Sequence, residues 1–342
     1  MKAAHRTVVE VPFEVTALEK GYANRGLRID LTQNEIRVFP VTQSMKDLWV
    51  GGKGLDLWLM FQEVGKETRW DSPENPICFS PGPLAGTTSF PGSGKTLVTS
   101  LSPMTGSVVD CNVGGYFGPL FKFCGLDALV VVGKAPEETI VVIDAVRGRI
   151  TIERAPLESI DAHLLAEELT EMYADDGLDK RNISVVCAGR GAQYTRMGVL
   201  NFSFYDWRKK TARIKQAGRG GIGRVFRDKG LKALVVHGFK LKSDMNRAAQ
   251  VERTSKVGRR LAKEIHDFDD QQNKMRKIGT AHLVEIMDAY DLLPVWNFQY
   301  GNHPDTHKIA SPVWEARFTQ GIFDGCCTAA TWRARRARTA TR

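Results

Sequence analysis

Three observations predict an α+β fold: hairpins marked by alternating apolar residues, a glycine-centred segment that occurs twice, and a late change to helix-forming composition. The repeated segment reads "GGYFGPLFKFCGLDALVVVG" at 114–133 and "GGIGRVFRDKGLKALVVHG" at 220–238. Each copy has paired glycines, a short helix-like stretch, another glycine, then an apolar strand closed by glycine. About 106 residues separate them, too many for a solenoid repeat but suited to a duplicated half-domain. Two such segments would bring two sets of backbone N–H groups toward one ligand, either a cofactor with two anionic ends or two copies of one cofactor. A tight turn before each strand is the plainer alternative. After Gly238 the stretch 241–286 is rich in Lys, Arg, Asp, Glu, Gln and Ala, so a helical second domain is expected from residue 240.

The elements follow in order. In "RGLRIDLTQNEIRVFPV", Leu27, Ile29 and Leu31 alternate with polar residues, "TQNE" turns, and Ile36, Val38 and Phe39 return, which predicts a hairpin. "SMKDLWVGGKGLDLWLMFQEV" predicts two helical pieces broken at Gly51 and Gly52. A second hairpin is expected at "ETIVVIDAVRGRITIE", turning near 146–148. Helical spacing over 155–172 sets Leu157, Ile160, Leu164, Leu165 and Leu169 on one face. "NISVVCAG" predicts a short buried strand. A helix over about 281–289 must stop before Pro294, leaving Trp296, Asn297 and Phe298 in a loop, to line a cleft or plug a gap.

With 342 residues, 42% apolar and 25% charged, the chain has the composition of an ordinary globular protein of two or more domains. No run of eighteen apolar residues suggests a membrane span, and the N-terminus lacks the pattern of a signal peptide. The six cysteines are scattered rather than framed for disulfides, which implies a reducing, cytoplasmic setting. The last sixteen residues hold five arginines and no acid, out of a net charge of +9. Elsewhere no basic patch interleaved with aromatics suggests nucleic acid.

Among the motifs, "SFPGSGKT" imitates a phosphate loop, but Ser89 stands where that pattern needs glycine, and "LVTSLSPMTG" after it reads as strand and turn. Lys95 remains a candidate to face an anion. "IKQAGRGGIG" carries Gly218, Gly220, Gly221 and Gly223 with Lys215 and Arg219, a combination suited to phosphate. The Lys-rich "YDWRKKTARIK" before it does not read as the strand that a dinucleotide fold requires. "CNVGGYFG" is the companion segment, with Asn112 and Gly114 able to approach a ligand. Cys111 and Cys124 lack a histidine partner and read as buried thiols rather than metal ligands.

Taken together, "NRGLRIDL", "VGGKGLDLWLMF", "SPEN", "GPLAGTT", "SPMTG", the two glycine segments and "GTAHLVEIMDAYDLLPVWNFQYG" resemble the tungsten-containing aldehyde ferredoxin oxidoreductase family, in its order, from about residue 26 to 326. The resemblance implies a pseudo-twofold, duplicated mixed-sheet domain over 1–239 that cradles tungsten-bis(molybdopterin), or its molybdenum counterpart. It implies an incomplete all-α domain over 240–326. By the same resemblance, Asn112 and Gly114 touch pterin and a bridging Mg2+, and Gln216 offers that ion a backbone carbonyl. Gly218 and Arg219 meet the second pterin's phosphate region beside Lys215. Lys95 stands where the family has an arginine between pterin and cluster; lysine keeps the charge and loses the fork. Lys215 likewise replaces an arginine, and Gln216 a small residue. The activity implied is oxidation of aldehydes to carboxylic acids, with electrons passed through [4Fe–4S] to ferredoxin or an electron-transfer subunit. No membrane or nucleic-acid partner is implied, and a homo-oligomer is compatible with it. Reduction of aromatic thioesters, on the same pterin base, is the alternative within the family. A non-catalytic gene product, or a binding domain with a basic tail, is the alternative outside it.

The tail explains itself against that family. Cys326 stands where the first [4Fe–4S] cysteine is expected, in a C-x2-C-x3-C segment or a close variant. With suitably chosen codons, C-W-Y-G-C-N-M-A-C-A-K-G-A-D becomes the run 326–339 when one G is deleted from its second codon. The expectation is therefore that 327–342 is out of frame and that Cys326 stands alone. The chain would then lack the other cluster cysteines, the cluster itself and the catalytic groups of the missing half.

Overall fold

The computed structural model describes residues 2–87, 90–239, 245–268 and 279–317. Cys326 and the tail 327–342 lie outside the described residues. The chain divides into two compact units between Thr254 and Ser255. The division falls after the change in composition at residue 240. Asn246 is buried, and its side-chain amide donates to the Pro83 and Ala85 carbonyls at 2.8 Å, which fastens this stretch to the first unit.

The first unit is mixed α/β, built on two mixed sheets. It opens with strand β1 (Arg6–Pro12) and the hairpin β2 (Arg25–Asp30) and β3 (Glu35–Pro40). Helices α1 (Gln43–Trp49) and α2 (Lys53–Glu63) follow, then β4 (Ile77–Pro81), β5 (Thr96–Leu101) and β6 (Val108–Val113), α3 (Phe117–Phe123) and β7 (Ala128–Val132). The next hairpin is β8 (Thr139–Asp144) and β9 (Arg149–Arg154), followed by α4 (Ala162–Tyr173). Strands β10 (Ile183–Cys187), β11 (Leu200–Asp206) and β12 (Thr211–Ala217), helix α5 (Ile222–Asp228) and β13 (Leu231–His237) complete it.

One sheet has the order β3-β2-β7-β4-β5-β6, and the other β1-β9-β8-β13-β10-β11-β12. Without β1, the second order is the first with every strand number raised by six. Directions agree as well: each sheet has an antiparallel hairpin, one parallel pair (β2 with β7, β8 with β13), then antiparallel neighbours to the far edge. The parallel strands β7 and β13 are buried along their whole length, which suits their runs of β-branched and aliphatic residues.

Packing follows from these patterns. A central core joins Leu27, Ile29, Phe79 and Val98 of one sheet to Val141, Ile143, Phe202 and Val236 of the other, with Phe121 of α3 and Phe226 of α5 among them. Behind the second sheet, Leu165 and Leu169 of α4 cover Val142, Val185 and Val235. Behind the first, Leu55, Leu59 and Met60 of α2 cover Cys78 and Val130.

Both hairpins and the broken helix stand where the sequence places them. Thr42 caps α1 by accepting from the Met45 amide, and Val50, Gly51 and Gly52 all have positive φ at the break. The helix predicted over 155–172 is shorter at its start than its spacing suggests. Asp161 caps α4 by accepting from the His163 and Leu164 amides, so Leu157 and Ile160 precede the helix and are 50% and 90% exposed. The capping carboxylate outweighed apolar periodicity at that end. Cys78, Cys111, Cys124 and Cys187 are buried free thiols, as expected.

The second unit contains most of a helix at Val251–Phe268, helices at Leu283–Ala289 and Ser311–Arg317, and the loop between the last two. The carboxylate of Asp288 accepts from the His303 amide at 2.9 Å and the Thr306 hydroxyl at 2.6 Å, which ties that loop to the helix before it. Trp296, Asn297 and Phe298 lie in the loop with left-handed φ, exposed to solvent. Among the described residues no helix is long and apolar enough to cross a membrane.

Candidate functional site

Strands β6 and β12 end their respective sheets, and each runs into one of the two glycine segments. Alternation along β6 turns Cys111 toward the second half of the unit, where its Sγ lies 3.3 Å from both the amide nitrogen and the carbonyl oxygen of Arg219. Ser102, just beyond β5, donates from Oγ to the Gly220 carbonyl at 2.8 Å. Gly220 and Gly221 have φ of +65° and +72°, and a Cβ at either would collide with Val109 or with the Arg196 carbonyl. Glycine is required there for conformation and for closeness. From the other side, Gly115 (φ +99°) would bring a Cβ within 3.8 Å of the Lys215 side chain and of Phe204. Tyr116 packs edge-on against Phe204, with ring centroids 5.6 Å apart. The two glycine segments therefore adjoin.

This places the sequence-predicted residues. Asn112, Gly114, Lys215, Gln216, Gly218 and Arg219 gather along the two edge strands and the turns that leave them. Asn112, Gln216, Gly218 and Arg219 are exposed, whereas Gly114 is buried. Lys95 joins through its backbone: Gly118, in the first turn of α3, would bring a Cβ within 3.1 Å of the Lys95 carbonyl. Lys215 and Gln216, as neighbours on a strand, face opposite sides of their sheet.

A third glycine pair borders the same place. Asn112 stands opposite Leu97 in the β5–β6 register, and a Cβ on Gly52 would lie 3.5 Å from the Leu97 side chain. Lys53, next in sequence, pairs with Asp110 of β6 at 2.7 Å. The motif "VGGKG" is legible in the sequence, but periodicity marks it only as a helix break. Beneath it, Asp56 of α2 is wholly buried and accepts from the Thr99 hydroxyl at 3.2 Å; burial raises its carboxyl well above the usual range. Burial also raises the Cys111 thiol, against the opposing hydrogen bond from the Arg219 amide, so it remains protonated and able to donate.

A strand does precede the "GRGGIG" turn, which the Lys-rich sequence of β12 disguised. A dinucleotide fold is still ruled out, because β12 pairs only antiparallel with β11, and α5 leads to a strand elsewhere in the sheet. "SFPGSGKT" leads into strand β5 rather than a helix, as expected.

Among the described residues, Asp175, Asp179 and His237 lie close enough to share a cation. Neighbouring charged groups already compensate them. The Arg147 guanidinium bridges Asp144 and Asp175, and His237 Nε2 meets Asp179 Oδ2 at 2.9 Å. An arginine within the group makes it a structural ion-pair cluster.

Comparison with known proteins agrees with this arrangement. Residues 26–238 match the family model described as aldehyde ferredoxin oxidoreductase, N-terminal domain. The chain belongs to the aldehyde ferredoxin oxidoreductase family. Residues 256–337 match the model for domains 2 and 3 of the same family. The chain is 30% identical over 300 residues to the tungsten-containing aldehyde ferredoxin oxidoreductase of Pyrococcus furiosus, covering 87% of this chain and 46% of that protein. It is 29% identical over 299 residues to the enzyme of that name from Pyrococcus horikoshii, with the same coverage. Similarity of 25% over 232 residues extends to an aliphatic sulfonate oxidoreductase, WOR-like subunit, of P. furiosus, covering 64% of this chain and 34% of that one. Among solved structures, the active site complex BamBC of benzoyl coenzyme A reductase with 1,5-dienoyl-CoA is similar, with a TM-score of 0.56 and 27% identity. That match covers 66% of this chain and 32% of its counterpart. This aldehyde ferredoxin oxidoreductase family member spans about half the length of the curated relatives it matches.

Proposed function

We propose that the first unit is the pterin-cradling base of a tungsten oxidoreductase, of the class that oxidises aldehydes to carboxylic acids. The observation that carries this is the meeting of two glycine segments on the edge strands of two sheets with one strand order. We take the sheets as duplicated halves related by a pseudo-twofold axis, each presenting one turn to one ligand. The donor set suits such a group. An added Cβ at Gly218 would meet nothing within 4 Å, so its backbone is open to a neighbour, and exposed Arg219 follows it. Backbone amides and a guanidinium fork are the donors that phosphate requires.

In this reading Gly218, Arg219 and Lys215 hold one pterin phosphate, and Gly114 with Asn112 the other pterin. The carbonyl of Gln216 and the Asn112 segment supply oxygen to a bridging Mg2+, a hard cation. Lys95 lends charge beside the first segment. When bound, the pterin-held metal, tungsten or molybdenum, supplies two-electron redox chemistry, while this chain's residues bind and orient it. In the same reading Cys326 would be one ligand of a [4Fe–4S] cluster, and ferredoxin or an electron-transfer subunit would be the electron partner. The likeness to a benzoyl coenzyme A reductase complex favours aromatic thioester reduction as the second reading.

The test is cofactor content after anaerobic production with tungstate. The wild-type chain should retain pterin, and Arg219→Ala should retain several-fold less, since losing a charge-assisted contact costs about 1.5–3 kcal/mol. Equal content in both would remove Arg219 from the site.

A further inference from the structure

The second half's glycine loop is fastened by side chains of the first half, to which the proposed function gives no part. The Cys111 thiol accepts from the Arg219 amide and donates to the Arg219 carbonyl, at 3.3 Å each. The Ser102 hydroxyl donates to the Gly220 carbonyl at 2.8 Å, and is itself fixed by the Met104 and Thr105 amides at 3.1 and 3.3 Å. Val109 covers Gly220 so closely that a Cβ there would collide with it. Both polar groups of the Arg219 backbone are thus occupied, while its side chain is exposed.

A loop with glycine at 218, 220, 221 and 223 has wide conformational freedom, which gripping an anion would have to remove. Fixing its shape beforehand takes that cost out of binding. The geometry points to Cys111 and Ser102 as positioning residues that hold the Arg219 loop ready for an anionic ligand, so that retention by one half depends on side chains of the other. This rests on the anion-binding reading of Arg219, and the test separates the two.

The first measurement uses the full chain without cofactor and follows amide hydrogen exchange. In Cys111→Ala and Ser102→Ala, exchange over 218–221 should rise about tenfold, as expected where a local restraint is lost, with β7 and β13 unchanged. Cys111→Ser, which keeps a donor and acceptor, should return toward wild type. If Cys111→Ala speeds exchange in the strands as well, Ser102→Ala decides by the same criterion. Unchanged loop exchange overturns the latch. The second measurement is molybdopterin per purified chain, which should fall several-fold in both alanine variants and recover in Cys111→Ser. Faster loop exchange with unaltered pterin content overturns the positioning role. A wild-type chain without pterin overturns the cofactor reading and the retention claim with it, while exchange still decides the latch.

Discussion

Lys229 closes the C-terminal end of α5 with its ammonium group wholly inside the protein, donating to the Pro73 and Gly133 carbonyls at 3.2 Å. Burial lowers its pKa to about 7, and the nearby charge of Lys134 adds to the effect. In the unfolded chain the same group titrates near ~10.4. Between those values the unfolded state binds more protons, so this group's contribution to stability rises with pH and is level on either side. Lys229→Met removes the titration and keeps most of the volume. The stability difference, wild type minus variant, should therefore climb from pH 7 toward pH ~10, by at most about 1.4 kcal/mol per unit. Taking the difference cancels His237, whose raised pKa acts in the opposite sense, and the four buried thiols. Denaturant titrations at several pH values would measure it, and a flat difference would show that Lys229 is not desolvated as described.

At the scale of the element, the glycine turns distinguish positions that demand glycine from positions that only expose backbone. Gly221 has φ +72° and no room for a Cβ beside the Arg196 carbonyl, whereas Gly218 has open space. Gly221→Ala should lose at least about 2–3 kcal/mol or fail to fold, through strain and overpacking. Gly218→Ala should stay within about 0.5 kcal/mol. Thermal melts of the two variants decide it, and equal losses would sink the distinction. The same contrast explains what the sequence disclosed. Hairpins with period-two patterning, the break at Gly51 and Gly52, and the doubled glycine segments were legible because local chemistry sets them. The start of α4 was misplaced because Leu157 and Ile160 continue the helical spacing while the Asp161 cap begins the helix later. The strand β12 was hidden because its exposed edge is written in Lys, Arg and Gln rather than in apolar alternation. Nothing local announces that Cys111 will meet the Arg219 backbone, since that contact needs both sheets assembled.

At the scale of the first unit, the two halves share a central core in addition to the smaller cluster behind each sheet. Phe202 of β11 packs edge-on against Phe117 of α3 at 5.3 Å between ring centroids, and tilted against Phe79 of β4 at 6.2 Å. Phe117 in turn stacks on Phe121 at 5.5 Å. All four are buried among residues of both sheets, so neither half can open without exposing the other. Aromatic burial of this kind makes the halves a single cooperative body, and the two glycine turns inherit their mutual placement from it. Phe202→Ala should cost roughly 3–5 kcal/mol, the usual range for removing a buried phenyl ring. More tellingly, the loss should be felt equally on both sides. Hydrogen exchange of Leu129 and Val130 in β7, in the half that does not contain the mutation, should accelerate as much as that of Leu234 and Val235 in β13. Acceleration confined to β13 would mean that each half folds on its own core, and that the two glycine turns meet only as a docked pair.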